Sequence, residues 1–344
     1  MVNVRFAPSP TGSLHVGNAL VAVANRRFAD ERGGTLLLRI DDTDANRNLE
    51  GGEAEILRDL AWLGIDFELG PVRQSARQER YREAAQMLGE RVDGKTLLRE
   101  DRSATYHLAS VVDDVDFGIT HVIRGNDHRP NEALHRRLHE ALGTTPPEYV
   151  YVGLILRPEG GKLSKREPLA SVDDLRDEGI PGEAVRAYLE ELGLPRHDVR
   201  YDPARIRRLA IDAIQALPDE ELAERAGAPA ALAPALRGAR TLHEARESAQ
   251  VLLDPPVTRL PEAAVPTAER FARLRAAAAD RLDVAAAKAL LRELKAVGGD
   301  LKALRLALTG RESGPELAAV LVALDRDETM RRLAAAVREA AERA

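Results

Sequence analysis

Residues 2–40 run VNVRFAPSPTGSLHVGNALVAVANRRFADERGGTLLLRI, and the changes of texture within them decide the fold. Residues 2–7 alternate apolar and polar side chains, the period of a half-buried strand. PSPTGS at 8–13 is dense in turn formers. A helical stretch opens near Leu14, with Val16, Leu20, Val23 and Ala24 at helical spacing, and Gly33-Gly34 stops it. TLLLRI at 35–40 is apolar nearly throughout, as expected of a strand covered on both faces of a parallel sheet. A strand–helix–strand unit of this kind predicts an α/β fold built on a doubly wound parallel sheet.

Working outward, YHLASVV (106–112) and THVIR (120–124) read as two more strands, followed by a helix over 131–142. The α/β domain is expected to fill residues 1–200. From 201 to 344 the texture shifts to Ala, Leu, Arg and Glu with few aromatics, which suits an all-helical domain interrupted at 254–261, DPPVTRLP. At 344 residues and 44% hydrophobic the chain can bury two cores. It has no cysteine, which excludes a disulfide framework and a thiolate zinc site. A net charge of −6 does not announce nucleic acid, so an RNA partner would have to meet local basic stripes. With neither an apolar signal core nor a long uncharged apolar run, the expectation is a soluble, cytoplasmic protein without membrane contact.

Two segments can carry chemistry. His15 and Gly17 fall where the first strand hands over to its helix, a junction whose free N–H groups and dipole favour phosphate. Gly12 and Gly17 let a ligand approach the backbone, and His15 can donate to a phosphate oxygen. Neither GxGxxG nor GxxxxGK[ST] is present, so no dinucleotide fingerprint or P-loop is signalled. Far downstream, GGKLSKR at 160–166 gathers Lys162, Lys165 and Arg166 on a glycine-hinged loop able to close over a polyphosphate. A lone histidine is usually structural and a basic run is usually solvated surface; the pairing of the two is what points to function.

That pair resembles the HIGH and KMSKS signatures of class I aminoacyl-tRNA synthetases. RFAPSPTG (5–12), RIDDTD (39–44), YHLA (106–109) with 111–114, GITHVIRG (118–125) and LALTGRESGPEL (306–317) look like glutamyl-tRNA synthetase, in the family's order. The resemblance implies a Rossmann-like catalytic domain with its KMSKS-like loop at 160–167, then a helical tRNA- and anticodon-binding domain. It also implies ligation of L-glutamate to tRNA, most simply tRNA(Glu), through an adenylate. Arg5 and Arg124 would hold the substrate side-chain carboxylate, which suits guanidinium forks; ion pairs at the sheet ends are the plain alternative. Ala7, Ser9, Asp41 and Tyr106 would orient the rest of the amino acid, Asp41 facing its ammonium group, and Arg47 would reinforce the carboxylate side. Gly12, His15, Gly17, Asn18, Asp127, Asn131, Leu163, Ser164, Lys165 and Arg166 would line the ATP side, with His15, Gly17, Lys162 and Lys165 closest to the chemistry. Magnesium would arrive with ATP. His128, His135 and His139 lack a third ligand at zinc spacing, so they read as exposed or packing residues, and no zinc is expected. A monomer is the family default.

Two departures stand out. Position 41 is Asp where the family usually has Glu, which retracts the carboxylate by at most about 1.5 Å. Between Tyr81 and Tyr106 the family inserts a connective subdomain that grips the acceptor end of tRNA; here only a stub remains, over about 83–100, and KTLLRED (95–101) looks like the strand rejoining the core. Three readings compete: a pared-down glutamate-tRNA ligase, a paralogue passing activated glutamate to a modified tRNA nucleotide or a small amine, and a non-catalytic binding module. The C-terminal segment favours the first, the lost insertion the second. Intact His15, Gly17, Lys162, Lys165, Arg5 and Arg124 argue against the third.

Overall fold

The computed structural model describes residues 1–89, 91–161, 163, 167–256 and 260–341. Strand β1 (Asn3–Phe6), helix α1 (Val16–Asp30) and strand β2 (Thr35–Ile40) form the unit that opens the sequence. β1 and β2 pair in parallel from Asn3↔Thr35 to Phe6↔Leu38. After α2 (Gly52–Trp62), β3 (Leu69–Arg73) adds in parallel to the outer side of β2. The chain passes through α3 (Gln78–Leu88), a two-residue-strand hairpin of β4 (Arg91–Val92) and β5 (Lys95–Thr96), and α4 (Tyr106–Asp116). β6 (His121–Gly125) then lies on the free side of β1, where Asn3 O accepts from Thr120 N at 2.9 Å. Following α5 (Glu132–Ala141), β7 (Glu148–Val152) pairs in parallel with β6. The sheet thus grows one way from β1 and then the other, which puts a switch point between β1 and β6.

Residues 106–112, read from sequence as a strand, are the first two turns of α4. The element carries no polar face: Leu108 to Asp114 are all buried, so neither helical nor strand periodicity shows. Residues 95–101 likewise hold only a hairpin arm and a Leu98↔Ala104 bridge.

The chain divides into two compact units, residues 1–177 with 182–206 and residues 178–181 with 207–341 of those described. In the first, β8 (Ile155–Leu156) pairs with β9 (Val199–Arg200), and α6 (Val172–Asp177) and α7 (Gly182–Leu192) lie between them in sequence. The second is helical. One cluster gathers Ile214, Leu222, Leu236 and Ala245; a larger one gathers Phe271, Leu294, Leu304, Leu308, Leu321 and Leu333. The helices that begin at Leu242, Val284 and Leu301 start on side-chain caps, Thr241 on Glu244 N, Asp283 on Ala286 N and Asp300 on Lys302 N, which satisfy donors the helix cannot. Among the described residues no helix is long and apolar enough to cross a membrane.

Candidate active site

A cleft of about 790 Å³ opens at the carboxyl ends of β1, β2, β6 and β7, at the switch point. Arg5, Ala7, Ser9, His15, Gly17, Asn18, Asp41, Arg47, Tyr106, Arg124, Asp127, Asn131 and Leu163 line it, so residues spread over 159 positions of sequence share one wall system. Gly12 does not line it: its φ of +93° shapes the turn instead, with Glu55 and Leu49 beside it. Lys162, Ser164, Lys165 and Arg166 lie outside the described residues.

The PSPTGS turn is held from three sides. Pro8 O accepts from Asp41 N and Pro10 O from Leu49 N, both at 2.9 Å. Gly52 sits so close that an added Cβ would fall 2.5 Å from Pro10 O, which makes the absence of a side chain a condition of the turn's position. Buried Asp59 accepts from Ser13 Oγ at 2.8 Å, Leu14 N at 2.7 Å and Arg176 Nη2 at 2.9 Å. The turn is also zipped to the chain that follows the lysine-bearing loop, by Val16 N to Ala170 O and Val172 N to Leu14 O, each 2.9 Å. The first of the two segments paired on chemical grounds is therefore bound through backbone to residues 170 and 172, which follow the second in sequence. His15 caps α1, its Nδ1 accepting from Gly17 N at 3.1 Å. Because Nδ1 accepts, the neutral ring carries its proton on Nε2 and can donate to an anion at the helix start.

Beneath the cleft wall that carries Arg5 and Asp41 lies an ion network that sequence reasoning missed. Arg39, 1% exposed, forks onto Asp41 at 2.6 and 3.1 Å and reaches Asp114 at 3.0 Å, with Asp113 at 3.7 Å. Burial alone would pull the Arg39 guanidinium down, but Asp41 and Asp114 lift it well above its ordinary range. Asp114 also receives Arg5 Nε at 3.3 Å, and Asp113 receives Tyr81 OH, Gln74 Nε2 and Arg77 Nε between 2.8 and 2.9 Å. The signal was present: a lone arginine in the apolar run TLLLRI has to be buried with acids. Asp41, expected to face an ammonium group, has both oxygens engaged by Arg39 and keeps only their further lone pairs for a ligand.

Arg124 differs. It is 5% exposed, and its side-chain partners among the described residues are neutral. Nη1 meets His135 Nδ1 at 3.3 Å, Nη2 donates to Tyr151 OH at 3.1 Å, and the guanidinium lies 4.8 Å from the Tyr149 ring centre. Tyr151 OH donates onward to Glu132 at 2.8 Å. His135 Nε2 meets His107 Nδ1 at 3.1 Å, and His107 lines the cleft. Burial, then Arg124 and His107, press the His135 imidazole down to about 2, and burial with Lys95 and Arg124 lowers His107. His135 and His139 are thus buried rather than exposed, and His128 contacts Tyr106 at 3.3 Å. Among the described residues no group of three His, Cys, Asp or Glu side chains is placed to hold a metal ion.

Comparison with known proteins covers nearly the whole chain. Residues 1–91 and 87–201 match the family "tRNA synthetases class I (E and Q), catalytic domain", and residues 212–337 match "Anticodon binding domain". Glutamate--tRNA ligase 1 of Rubrobacter xylanophilus is 35% identical over 418 aligned positions, covering 96% of this chain and 97% of that one. Glutamate--tRNA ligase of Akkermansia muciniphila is 31% identical, covering 97% and 98%. Those alignments exceed the 344 residues available here, so the relatives carry segments this chain lacks. A glutamate tRNA ligase from Elizabethkingia meningosepticum, solved with its amino acid, superposes with a TM-score of 0.75 at 22% identity, over 98% of this chain and 99% of that one. Sequence, sheet topology and cleft converge, and the chain belongs to the class I aminoacyl-tRNA synthetases, in the glutamyl-tRNA synthetase family.

Proposed function

We propose that this protein activates L-glutamate with ATP and esterifies it to the 3′ end of tRNA(Glu). The observation that carries the substrate assignment is Arg124, a buried guanidinium with neutral partners on the wall that also carries Arg5. Glu132 compensates Arg124 only through Tyr151 OH, so among the described residues the buried guanidinium has no direct ion pair, and a carboxylate ligand would supply one. A dicarboxylic amino acid can do so with its side chain while its α-carboxylate points toward the phosphate side.

In that pose Arg5 and Arg124 take the side-chain carboxylate, with Arg47 reinforcing that side. Asp41, Ala7, Ser9 and Tyr106 orient the ammonium group and backbone. His15, Gly17 and Asn18 at the start of α1, with Asp127 and Asn131, receive ATP. An α-carboxylate oxygen attacks the α-phosphorus and pyrophosphate leaves; the terminal ribose hydroxyl of tRNA then attacks the carbonyl carbon and AMP leaves. No side chain becomes covalently linked, so the protein contributes alignment and charge stabilisation. His15 Nε2–H and the cations Lys162 and Lys165 serve the phosphates, and magnesium bound with ATP would neutralise further phosphate charge. We read the enzyme as a cytoplasmic monomer.

The test is charging of glutamate onto unfractionated tRNA with ATP and magnesium. Wild type should charge, Lys165→Ala should charge far more slowly, and periodate-oxidised tRNA should accept nothing. The shortened insertion favours the rival acceptor reading, and glutamate retained on oxidised tRNA would adopt it. Absence of glutamate-dependent pyrophosphate exchange, with tRNA present, would end the activation reading.

A further inference from the structure

Arginine has five N–H donors and no acceptor. The 3.3 Å contact between Arg124 Nη1 and His135 Nδ1 therefore has one polarity: Nδ1 accepts. A neutral imidazole that accepts at Nδ1 carries its proton at Nε2, so His135 donates across the 3.1 Å contact to His107 Nδ1. His107, accepting at Nδ1, must in turn keep its own proton on Nε2. Three side chains on α4, β6 and α5 thus form a directed chain whose sense is set by the guanidinium. Both of its ends, Arg124 and His107, line the cleft.

The surroundings hold the chain neutral. His135 is 1% exposed and is faced by Arg124, Arg5, His107 and His139. His107 is faced by Lys95 and Arg124, and packs on the rings of Tyr106 and His135. His139 is faced by Asp114 and Arg136. A proton added to His135 would sit on Nδ1 and point at an arginine N–H, donor against donor.

We infer that His135 is a positioning residue locked in its neutral Nε2–H form, and that through it Arg124 and His107 are presented as paired hydrogen-bond donors that select a carboxylate over a carboxamide. This rests on the reading of the cleft as a glutamate site. A carboxylate offers acceptors only, which a wall of donors satisfies. A glutamine side chain would turn an NH₂ group toward one of those donors and leave both unsatisfied, and mismatched buried polar groups are what a hydrogen-bonding site rejects most strongly.

The experiment compares His135→Leu with His135→Gln. The glutamine amide reproduces both contacts, with oxygen toward Arg124 and NH₂ toward His107; leucine makes neither. In tRNA-dependent pyrophosphate exchange, His135→Leu should raise the glutamate KM by roughly 10- to 100-fold and cut glutamate-over-glutamine selectivity by a similar factor. The ATP KM should change less than about threefold, and His135→Gln should recover most of the loss. Nitrogen NMR of wild type labelled at histidine should show one ring with unprotonated Nδ1 and protonated Nε2 that keeps this signature to pH 5.5 and is absent from His135→Gln. A His135 signal from the Nδ1–H form or from imidazolium at neutral pH would overturn the proposal, as would His135→Leu with wild-type glutamate KM and selectivity. If wild type activated a different amino acid, the substrate reading would fall separately, while the NMR signature would still decide the locked form.

Discussion

Arg39 and Arg124 are buried in the same cleft wall, and their charges are treated oppositely. Arg39, on β2, forks onto Asp41 and reaches Asp114 and Asp113. Arg124, on β6, has imidazole, phenol and aromatic faces. Arg5, whose ion-pair partner among the described residues is Asp114 at 3.3 Å, stands between them. The difference separates a cation that holds the wall together from one whose counter-ion arrives as ligand, because a buried charge needs an opposite charge from some source.

The comparison breaks first, and hardest, at Arg39. Arg39→Met would strand Asp41, Asp113 and Asp114 in the interior with one fewer cation, so urea unfolding should show a loss of about 3–5 kcal/mol. A loss below about 1 kcal/mol would mean the acids re-pair with Arg5 and Arg77 and that the network is redundant.

Arg124→Met is the mirror experiment. It removes a buried charge whose protein partners are neutral, so stability should hold within about 1 kcal/mol or rise. Glutamate kcat/KM should fall by about 3 kcal/mol, roughly 150-fold, since a charged hydrogen-bond partner is lost from the bound carboxylate. If instead Arg124→Met unfolds the protein while Arg39→Met does not, the assignment of scaffold and ligand arginine is reversed.

Acid tests the neutral side of the comparison with a smaller effect. Burial depresses His135 to about 2 and lowers His107 and His139 as well. In the unfolded chain these rings protonate near 6.5, while the native state keeps them neutral. Stability from a depressed histidine is therefore complete above 6.5 and lost as pH falls below it, by about 1.4 kcal/mol per pH unit per ring. For His135 the window runs from 6.5 toward 2. Unfolding midpoints of wild type and His135→Gln at pH 7.5, 6.5 and 5.5 should converge or cross as pH falls; a gap independent of pH would show that His135 titrates in the native state as it does in the unfolded chain, and a gap that widens toward acid would show that it is charged there.

These contrasts also explain what the sequence could reveal. β1, α1 and β2 were legible because each carries a period, a turn signal or an apolar run of its own. His15 and Gly17 were legible because they sit at a strand–helix junction. α4 was not: its buried acids Asp113 and Asp114 serve Arg5, Arg39, Arg77 and Tyr81, and an element covered on all sides hides its repeat. The histidine chain was invisible for another reason. His107 and His135 are 28 positions apart, and only the packing of α4 against α5 makes them partners.

The same sorting of cations by partner extends to the hairpin that stands where the insertion is short, and it predicts the smallest effect. The two stretches that match the catalytic family meet at residues 87–91, beside β4 and β5. On α3, Arg80 pairs with Asp116 at 2.8 Å, so its charge is already compensated. Arg91 instead donates to the backbone carbonyl of Gly94 at 2.6 Å, and neither Arg91 nor Lys95 forms an ion pair among the described residues. If the hairpin meets the acceptor end of tRNA in place of the missing subdomain, these two charges are the ones a phosphate would neutralise. Arg91→Ala and Lys95→Ala should each reduce the slope of log K for tRNA against log salt by about 0.7–0.9, with glutamate and ATP KM unchanged. Arg80→Ala should leave that slope alone, because releasing Asp116 and removing a paired cation changes no phosphate contact. Equal slope changes for Arg80→Ala and Arg91→Ala would show that the partner a cation keeps in the free protein does not mark it for RNA, and the contrast drawn from Arg39 and Arg124 would stop at the cleft.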